Sequence, residues 1–237
     1  IEVIPITHSV PKSFCVLVHT SEGVIVHTGD FKLDETPVDN RLTNTDRLRE
    51  LASGPGVRLL MADSTNADSP GSSESESSIG RTFERIFPVY SGKRMIIRCF
   101  ASHLHRVQQI VDVAISEGRK IFPLGRSMVN NVRIAQQLGI LNLSSKDVYS
   151  VEDIDQFAPG EVCIVCTGSQ GEPNAALSLL ASNNHRDLRV TSEDVVILSS
   201  HPIPGNERAV YRIIDRLTRM GCEVVHDGHE LVHTSGH

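Results

Sequence analysis

The strongest constraint in this sequence is the alternation, from about residue 78 onward, of short, continuous apolar runs with segments of helical periodicity. Runs of four or five apolar residues are typical of strands buried on both faces. Strands that alternate with amphipathic helices build a parallel sheet covered on both faces. The pattern therefore predicts an α/β fold. The predicted helices are 78–90, 105–117, 129–138, 175–181 and 207–220.

The first 64 residues or so show a different pattern, with four short apolar runs and no clear helical segment. Ser21-Glu22-Gly23 lies between two of these runs and is typical of a hairpin turn. We therefore expect an antiparallel sheet here. A Ser-rich segment at 68–78 predicts a flexible loop before the alternating part. The chain opens inside a predicted strand without Met and closes on HTSGH, so we expect both ends to be cut from a longer protein.

Three of the buried runs end in loops rich in Gly, Ser, His or Pro just before a predicted helix. Their sequences are CFASHLHR, CTGSQGEPN and SSHPIPGNE. Ligands of parallel sheets bind at the carboxyl ends of strands, where backbone N–H groups at helix N-termini favour anions. These loops predict an anion site. No G-x-G-x-x-G or Walker A sequence occurs, which argues against a nucleotide cofactor.

Ionisable residues end three apolar runs of the first part: His8, Asp30 and Asp63. One such residue is usually a capping or turn residue. Three in one sheet, with His and Asp mixed, also suit a zinc or manganese site, and the spacing alone leaves both interpretations open. A second group of polar side chains lies at residues 233–237, where a tight loop could offer N–H, hydroxyl and imidazole groups to a phosphate.

Composition narrows the function classes. The net charge of −6 argues against a general polyanion-binding surface, and an aromatic share of 4% argues against widespread base stacking.

Cys163 and Cys166 form a CxxC, but residues three apart on a strand point to opposite faces, so core cysteines are favoured over a zinc or redox pair. No apolar run approaches the roughly 20 residues of a membrane span, and no signal peptide is visible, so we expect a cytoplasmic protein without membrane contact.

The segments TGDFK, ADSTNA, FASHLHRVQQ, GRSM, CTGSQGEP, PIPGNE and HTSGH resemble, in order and spacing, the ribonuclease J family of metallo-β-lactamase/β-CASP RNA nucleases. The resemblance covers essentially the whole chain. It implies part of a metallo-β-lactamase αββα sandwich at 1–65, an inserted β-CASP domain with a mainly parallel sheet flanked by helices at 66–230, and a return into the first domain at 231–237.

The resemblance also implies roles for individual residues. His8 and Asp30 would be metal ligands, and Asp63 and His237 would be catalytic-site groups. The RNA phosphates would be bound by His233, Ser235, Ser169 and Ser102. The implied cofactor is Zn²⁺, two per active site, with Mn²⁺ or Mg²⁺ as alternatives. The implied partner is single-stranded RNA with a 5′-monophosphate, bound by a homo-oligomer that acts as a 5′-to-3′ exonuclease and endonuclease in RNA processing and decay.

The resemblance is incomplete where further ligands are expected. The family's H-x-H-x-D-H signature and its PVHGE-like segment are not in this sequence. We therefore expect a fragment that is inactive alone. The alternative is a non-catalytic RNA-binding or dimerisation module of a degenerate β-CASP protein. A small-molecule hydrolase on the same scaffold is a third interpretation, which the long β-CASP segment disfavours.

Overall fold

The computed structural model describes residues 1–54 and 56–237, which form two compact units. Unit 1 comprises Ile1–Ser77 and Ser235–His237, and unit 2 comprises Ser78–Thr234. The predicted domain limits at 65/66 and 230/231 describe the family's domains and stay a prediction. No helix in the described ranges is long and apolar enough to cross a membrane.

Unit 1 is built on a four-stranded sheet in the order β1-β2-β3-β4. Its elements are β1 (Glu2–Pro5), β2 (Phe14–Thr20), β3 (Gly23–His27), α1 (Thr45–Ser53) and β4 (Val57–Met61). Apolar alternation places Cys15 and Leu17 of β2 and Val24 and Val26 of β3 in a small core, which Leu51 of α1 completes. The predicted hairpin is confirmed, because β2 and β3 pair antiparallel across the Ser21–Glu22 turn.

The expectation of a wholly antiparallel sheet was wrong at its last strand. β4 pairs parallel to β3, and a parallel pair needs a long crossover, which here contains α1. Helix α1 escaped the sequence analysis because only Leu51 of its nine residues is buried, so its apolar stripe is short. Asn44 caps it by accepting a hydrogen bond from the Arg47 N–H.

Unit 2 has five strands and five α-helices that alternate after its first helix. The strands and α-helices are α2 (Ser77–Val89), β5 (Arg94–Arg98), α3 (Leu104–Ser116), β6 (Lys120–Leu124), α4 (Arg126–Gln137), β7 (Val162–Cys166), α5 (Ala176–Ala181), β8 (Asp194–Leu198), α6 (Glu207–Arg219) and β9 (Glu223–His226). Three short 3-10 helices (Ser145–Asp147, Val151–Gln156 and Pro159–Glu161) lie between α4 and β7. The predicted helices are confirmed to within one to three residues. The predicted Ser-rich segment holds only turns and bends until α2 begins.

The sheet of unit 2 is parallel throughout, in the order β6-β7-β5-β8-β9. This confirms the predicted α/β class. Each face of the sheet packs on its own apolar cluster, so strand residues alternate between the two clusters. Cys163 lies in one cluster and Cys166 in the other, and both are free thiols. The CxxC is therefore part of the core, as expected.

The order of the strands brings the three candidate loops together. β7, β5 and β8 are neighbours, and the parallel direction puts all their carboxyl ends at one edge. The loops at 99–103, 167–175 and 199–206 therefore share that edge, as the sequence predicts. We call it the carboxyl edge of unit 2.

A glycine at the end of β6 should be essential for this edge. Gly125 has φ 95°, and a Cβ there would lie 2.3 Å from Thr167 Oγ1. We expect Gly125→Ala to lower the free energy of unfolding by about 2–4 kcal/mol, from left-handed strain and the clash. Denaturant unfolding measures this. Gly139→Ala is the matched control, because φ is 65° but nothing lies within 4 Å. An equal loss in both variants would contradict the steric explanation.

Candidate functional site

Strand-end residues of unit 1 form the first part of the site. His8 follows β1, and its side chain is 9% exposed. Its Nδ1 lies 2.9 Å from the Gly236 carbonyl oxygen, which accepts a hydrogen bond only from a protonated nitrogen. The lone pair of neutral His8 is therefore on Nε2, which lies 3.9 Å from Asp30 Oδ2. Backbone carbonyls orient metal-binding histidines in this way.

His237 approaches the same place from the other end of the chain. Its ring centroid lies 5.1 Å from that of His8, edge to face. Its Nδ1 lies 2.5 Å from Asp63 Oδ2, and the Asp63 carboxylate is only 6% exposed. The Asp63 carboxylate therefore fixes the His237 ring with Nε2 turned away from it, as in a carboxylate–histidine pair.

The hydrogen bonds to Asp63 keep it ionised. Burial alone would raise its pKa, and it is the largest single influence. Donors from Thr65, His237 and the Phe31 N–H together outweigh burial and hold the pKa well below its ordinary value. An ionised carboxylate with this many donors can hold the orientation of the His237 imidazole at neutral pH.

The three groups His8, Asp30 and His237 each bring one ligand atom within 4.8 Å of the other two. This is the only such group of three in the ranges 1–54 and 56–237. Two imidazole nitrogens and a carboxylate oxygen suit zinc or manganese. The fit is supported by the orientation of the two rings: Nδ1 of His8 contacts the Gly236 carbonyl oxygen and Nδ1 of His237 contacts Asp63, which leaves Nε2 of each ring outside these contacts. Asp30 is 68% exposed, so its carboxylate is accessible.

A cavity of about 260 Å³ adjoins Asp63 and His237, and its lining combines polar side chains with apolar ones such as Phe31 and Leu33. Serine, threonine and asparagine side chains line much of it, including Thr65, Asn66 and Ser73. Ser235 lies beside it: its Oγ accepts from Asn66 Nδ2 at 3.1 Å and from the His237 N–H at 3.1 Å. Hydroxyls, amides and an imidazole around a cavity of this size suit a phosphate group.

The remaining predicted residues lie in unit 2, at its carboxyl edge. Ser169 is 4% exposed, and its hydroxyl has no hydrogen-bond partner in the described part of the chain. Ser102 is exposed just before α3. His233 stacks on His201, with ring centroids 6.3 Å apart, and its Nδ1 lies 3.4 Å from Arg106 Nη1. The structure thus groups His8, Asp30, Asp63, Ser235 and His237 in unit 1, and Ser102, Ser169 and His233 in unit 2.

Sequence reasoning missed a buried cation at this edge. Arg98 ends β5 with no exposed surface, and its guanidinium donates to the Ser200 hydroxyl and carbonyl. Its Nη1 has no partner in the described ranges. Burial lowers the pKa of Arg98 to about 10, and nearby Cys166, Glu172, Asp227 and Cys99 limit the drop. Arg98 is therefore still charged at neutral pH. The signal was an arginine inside the apolar run RMIIRCF.

Gln170 and Lys32 were also missed. The Gln170 amide joins two loops of unit 2: its Nε2 donates to the His201 carbonyl, and its Oε1 accepts from the Ile203 N–H and Asn206 Nδ2. Lys32 of unit 1 is buried, and its Nζ donates to the carbonyls of Ser235 and Glu74. Both residues stand inside the motifs TGSQGEP and TGDFK, so the motifs contained the signal.

The comparisons with known proteins decide the family. The family model described as the ribonuclease J β-CASP domain matches residues 92–217. The chain belongs to the ribonuclease J family. The match spans β5 to α6 and therefore includes the three loops of the carboxyl edge.

Curated relatives extend the similarity beyond the β-CASP segment. A ribonuclease J of Mycolicibacterium smegmatis is 44% identical over 236 residues, which cover 100% of this chain and 42% of the relative. One of Thermus thermophilus is 42% identical over 231 residues, with 98% and 40% covered. One of Helicobacter pylori is 40% identical over 237 residues, with 100% and 34% covered. The chain therefore spans well under half the length of these ribonuclease J relatives.

A solved structure supports the fold. A protein of unknown function from Enterococcus faecalis V583 superposes with a TM-score of 0.64 at 13% identity, covering 100% of this chain and 52% of that one. At this identity the likeness shows the fold alone.

Proposed function

We propose that this chain is part of a metal-dependent ribonuclease that cuts RNA phosphodiesters as a 5′-to-3′ exonuclease and as an endonuclease. The observation that carries the proposal is the group formed by His8, Asp30 and His237, in which hydrogen bonds to Gly236 and Asp63 orient both imidazoles. The relatives' shared name, ribonuclease J, supplies the substrate class.

The resemblance supplies the proposed roles, and the geometry of the group supports them. His8 Nε2 and the Asp30 carboxylate would hold a divalent ion, Zn²⁺ or alternatively Mn²⁺ or Mg²⁺, and that ion would supply Lewis acidity and positive charge for phosphodiester hydrolysis. His237, fixed by Asp63, would present its Nε2 to the scissile phosphate and would stabilise or protonate the developing charge. Asp63 acts through His237. Ser235 contributes its hydroxyl next to His237.

The resemblance implies two zinc ions, and a pair needs more donors than the three-residue group that the described residues present. We therefore propose that the chain by itself binds RNA and cuts none. The complete enzyme is proposed to be a cytoplasmic homo-oligomer.

The carboxyl edge of unit 2 is proposed to receive the RNA 5′-monophosphate. Buried Ser169 and accessible Ser102 face this edge, and Arg98 places a positive charge below it, which favours a dianionic phosphate. His233 lies near it through its stacking on His201.

Binding of one short RNA that carries either a 5′-monophosphate or a 5′-hydroxyl tests this assignment at fixed salt. We expect the monophosphate to bind at least tenfold more tightly. We expect Ser169→Ala to reduce this preference about tenfold or more, because a hydrogen bond to a charged group contributes about 1.5–3 kcal/mol.

Ser178→Ala is the matched control, because Ser178 is another buried serine whose hydroxyl has no partner in the described ranges, but it lies in α5. Equal binding of the two RNAs would contradict the 5′-phosphate assignment. RNA binding without any hydrolysis in a protein of the relatives' full length would favour the alternative, a non-catalytic RNA-binding or dimerisation module.

A further inference from the structure

Helix α6 carries four arginines on its outward face: Arg208, Arg212, Arg216 and Arg219. At about 100° per residue, the spacings of four, four and three place them within an arc of roughly 80°. The opposite face is the buried one, with Val210, Ile213 and Leu217. All four arginines are exposed. We call this face the arginine track.

The charge of the track is not neutralised by ion pairs. None of its four arginines forms an ion pair within the part of the chain that the structure describes, whereas Arg47, Arg94 and Arg186 all do. Asp215 shares the outward side, and Glu207 in the first turn accepts from the Gly205 N–H. The track therefore has a net positive charge.

A solvated helix face would not favour this arrangement. Like charges four residues apart, as in Arg208–Arg212 and Arg212–Arg216, destabilise a helix by a few tenths of a kcal/mol per pair. The chain as a whole has a net charge of −6, so such a concentration of arginine is not the general character of its surface. A bound polyanion would turn this repulsion into attraction.

The track continues into a groove at the C-terminal end of α6. This shallow groove of about 960 Å³ is lined by Arg216 and Arg219 of the track, and by Arg189. Carbonyl oxygens of His185 and Leu188 hold the Arg189 guanidinium. The amides of Asn183 and Asn184 also line the groove and add neutral hydrogen-bonding groups. Cations and amides in an open groove suit phosphate and ribose groups.

The direction of α6 relates the track to the carboxyl edge. The helix begins directly after the loop at 199–206 and ends before β9, at the opposite edge of the sheet. From Arg208 to Arg219 the track covers about 16 Å, with about 6 Å between arginines four residues apart. Tyr211 is 59% exposed on the neighbouring part of this helix and offers a ring for base stacking.

We propose that the arginine track binds the ribose-phosphate backbone of single-stranded RNA and guides it along unit 2, away from the carboxyl edge. The proposal rests on the proposed function, because it adds the path of the strand to the 5′-end site. Arginine suits this task, since its fork donates to phosphate oxygens without reading the base.

Salt-dependent binding of a 15-nucleotide single-stranded RNA to the full 237-residue chain tests the track. We expect R212A/R216A to weaken binding about tenfold or more at ~0.1 M salt, and to lower the slope of log K against log[salt] by about 1.4. The matched control is R81A/R85A, which removes two exposed arginines at the same spacing from α2. Circular dichroism checks that both variants keep their helices.

The outcomes separate this proposal from the 5′-end assignment. Equal losses in the two double variants, or no loss in R212A/R216A, overturn the track even if the 5′-monophosphate is still preferred. A selective loss in R212A/R216A supports the track even if the two 5′ ends bind equally. If a polyglutamate peptide binds as tightly as RNA and loses the same affinity in R212A/R216A, the face binds acidic protein and the RNA assignment is wrong.

Discussion

Asp63→Asn is expected to reduce RNA cleavage by about 10²–10⁴-fold in a ribonuclease J that contains these residues. An Asn side chain can still fill the space, but it can turn its amide towards His237 and no longer fix the ring through Nδ1. Asp63 accepts hydrogen bonds from Thr65, the Phe31 N–H and His237, so the network depends on an ionised carboxylate. Single-turnover cleavage of a 5′-labelled RNA measures the effect on chemistry.

Asp34→Asn is the matched control. Asp34 is also buried in unit 1, and its carboxylate accepts from the N–H groups of Thr36 and Glu76. Burial is again the largest influence, but the hydrogen bonds lower its pKa overall. Both carboxylates should therefore contribute stability that is present above the ordinary pKa near 4 and is lost as pH falls below it. Both Asn variants should be less stable near neutral pH and less sensitive to acid, but only Asp63→Asn should lose cleavage to this extent. Equal cleavage in the two variants would contradict the role given to Asp63.

His8→Ala is expected to lower the affinity of this chain for Zn²⁺ or Mn²⁺ by at least about 100-fold, because it removes one of the two proposed metal ligands, His8 and Asp30. Isothermal titration calorimetry measures the affinity directly and does not depend on activity. His19→Ala is the control: His19 is a half-exposed histidine of β2 that pairs with Glu2 at 2.8 Å and does not belong to the group of His8, Asp30 and His237. If His8→Ala and His19→Ala bind the metal equally well, His8 is not a ligand.

The sequence predicted unit 2 better than unit 1, for a physical reason. Strands such as β7 and β8 are buried at every position, so each reads as an unbroken apolar run between amphipathic helices. In unit 1, β4 is exposed along its whole length, and α1 buries a single residue. The apolar run of β4 therefore carries no signal for the direction of the strand, and α1 carries no periodic signal for its existence.

The same distinction applies to the site. The strand-end positions of His8, Asp30 and Asp63 could be found from the sequence, because an ionisable residue at the end of an apolar run is conspicuous. The pairing of Asp63 with His237 joins residues 174 positions apart, and no local pattern reports it. Arg98 was missed because a charged residue inside a buried strand needs polar partners. Its partners are the hydroxyl and the carbonyl of Ser200, and only the fold brings them near.

The most direct test of the account is to locate a bound ion by anomalous scattering in crystals of this chain grown with Mn²⁺ or Zn²⁺. We expect an ion about 2.0–2.2 Å from His8 Nε2 and from an Asp30 carboxylate oxygen, with His237 Nε2 facing it. An ion held elsewhere, or no ion at millimolar metal while His8 keeps its contact with Gly236, would contradict a metal-centred site in unit 1.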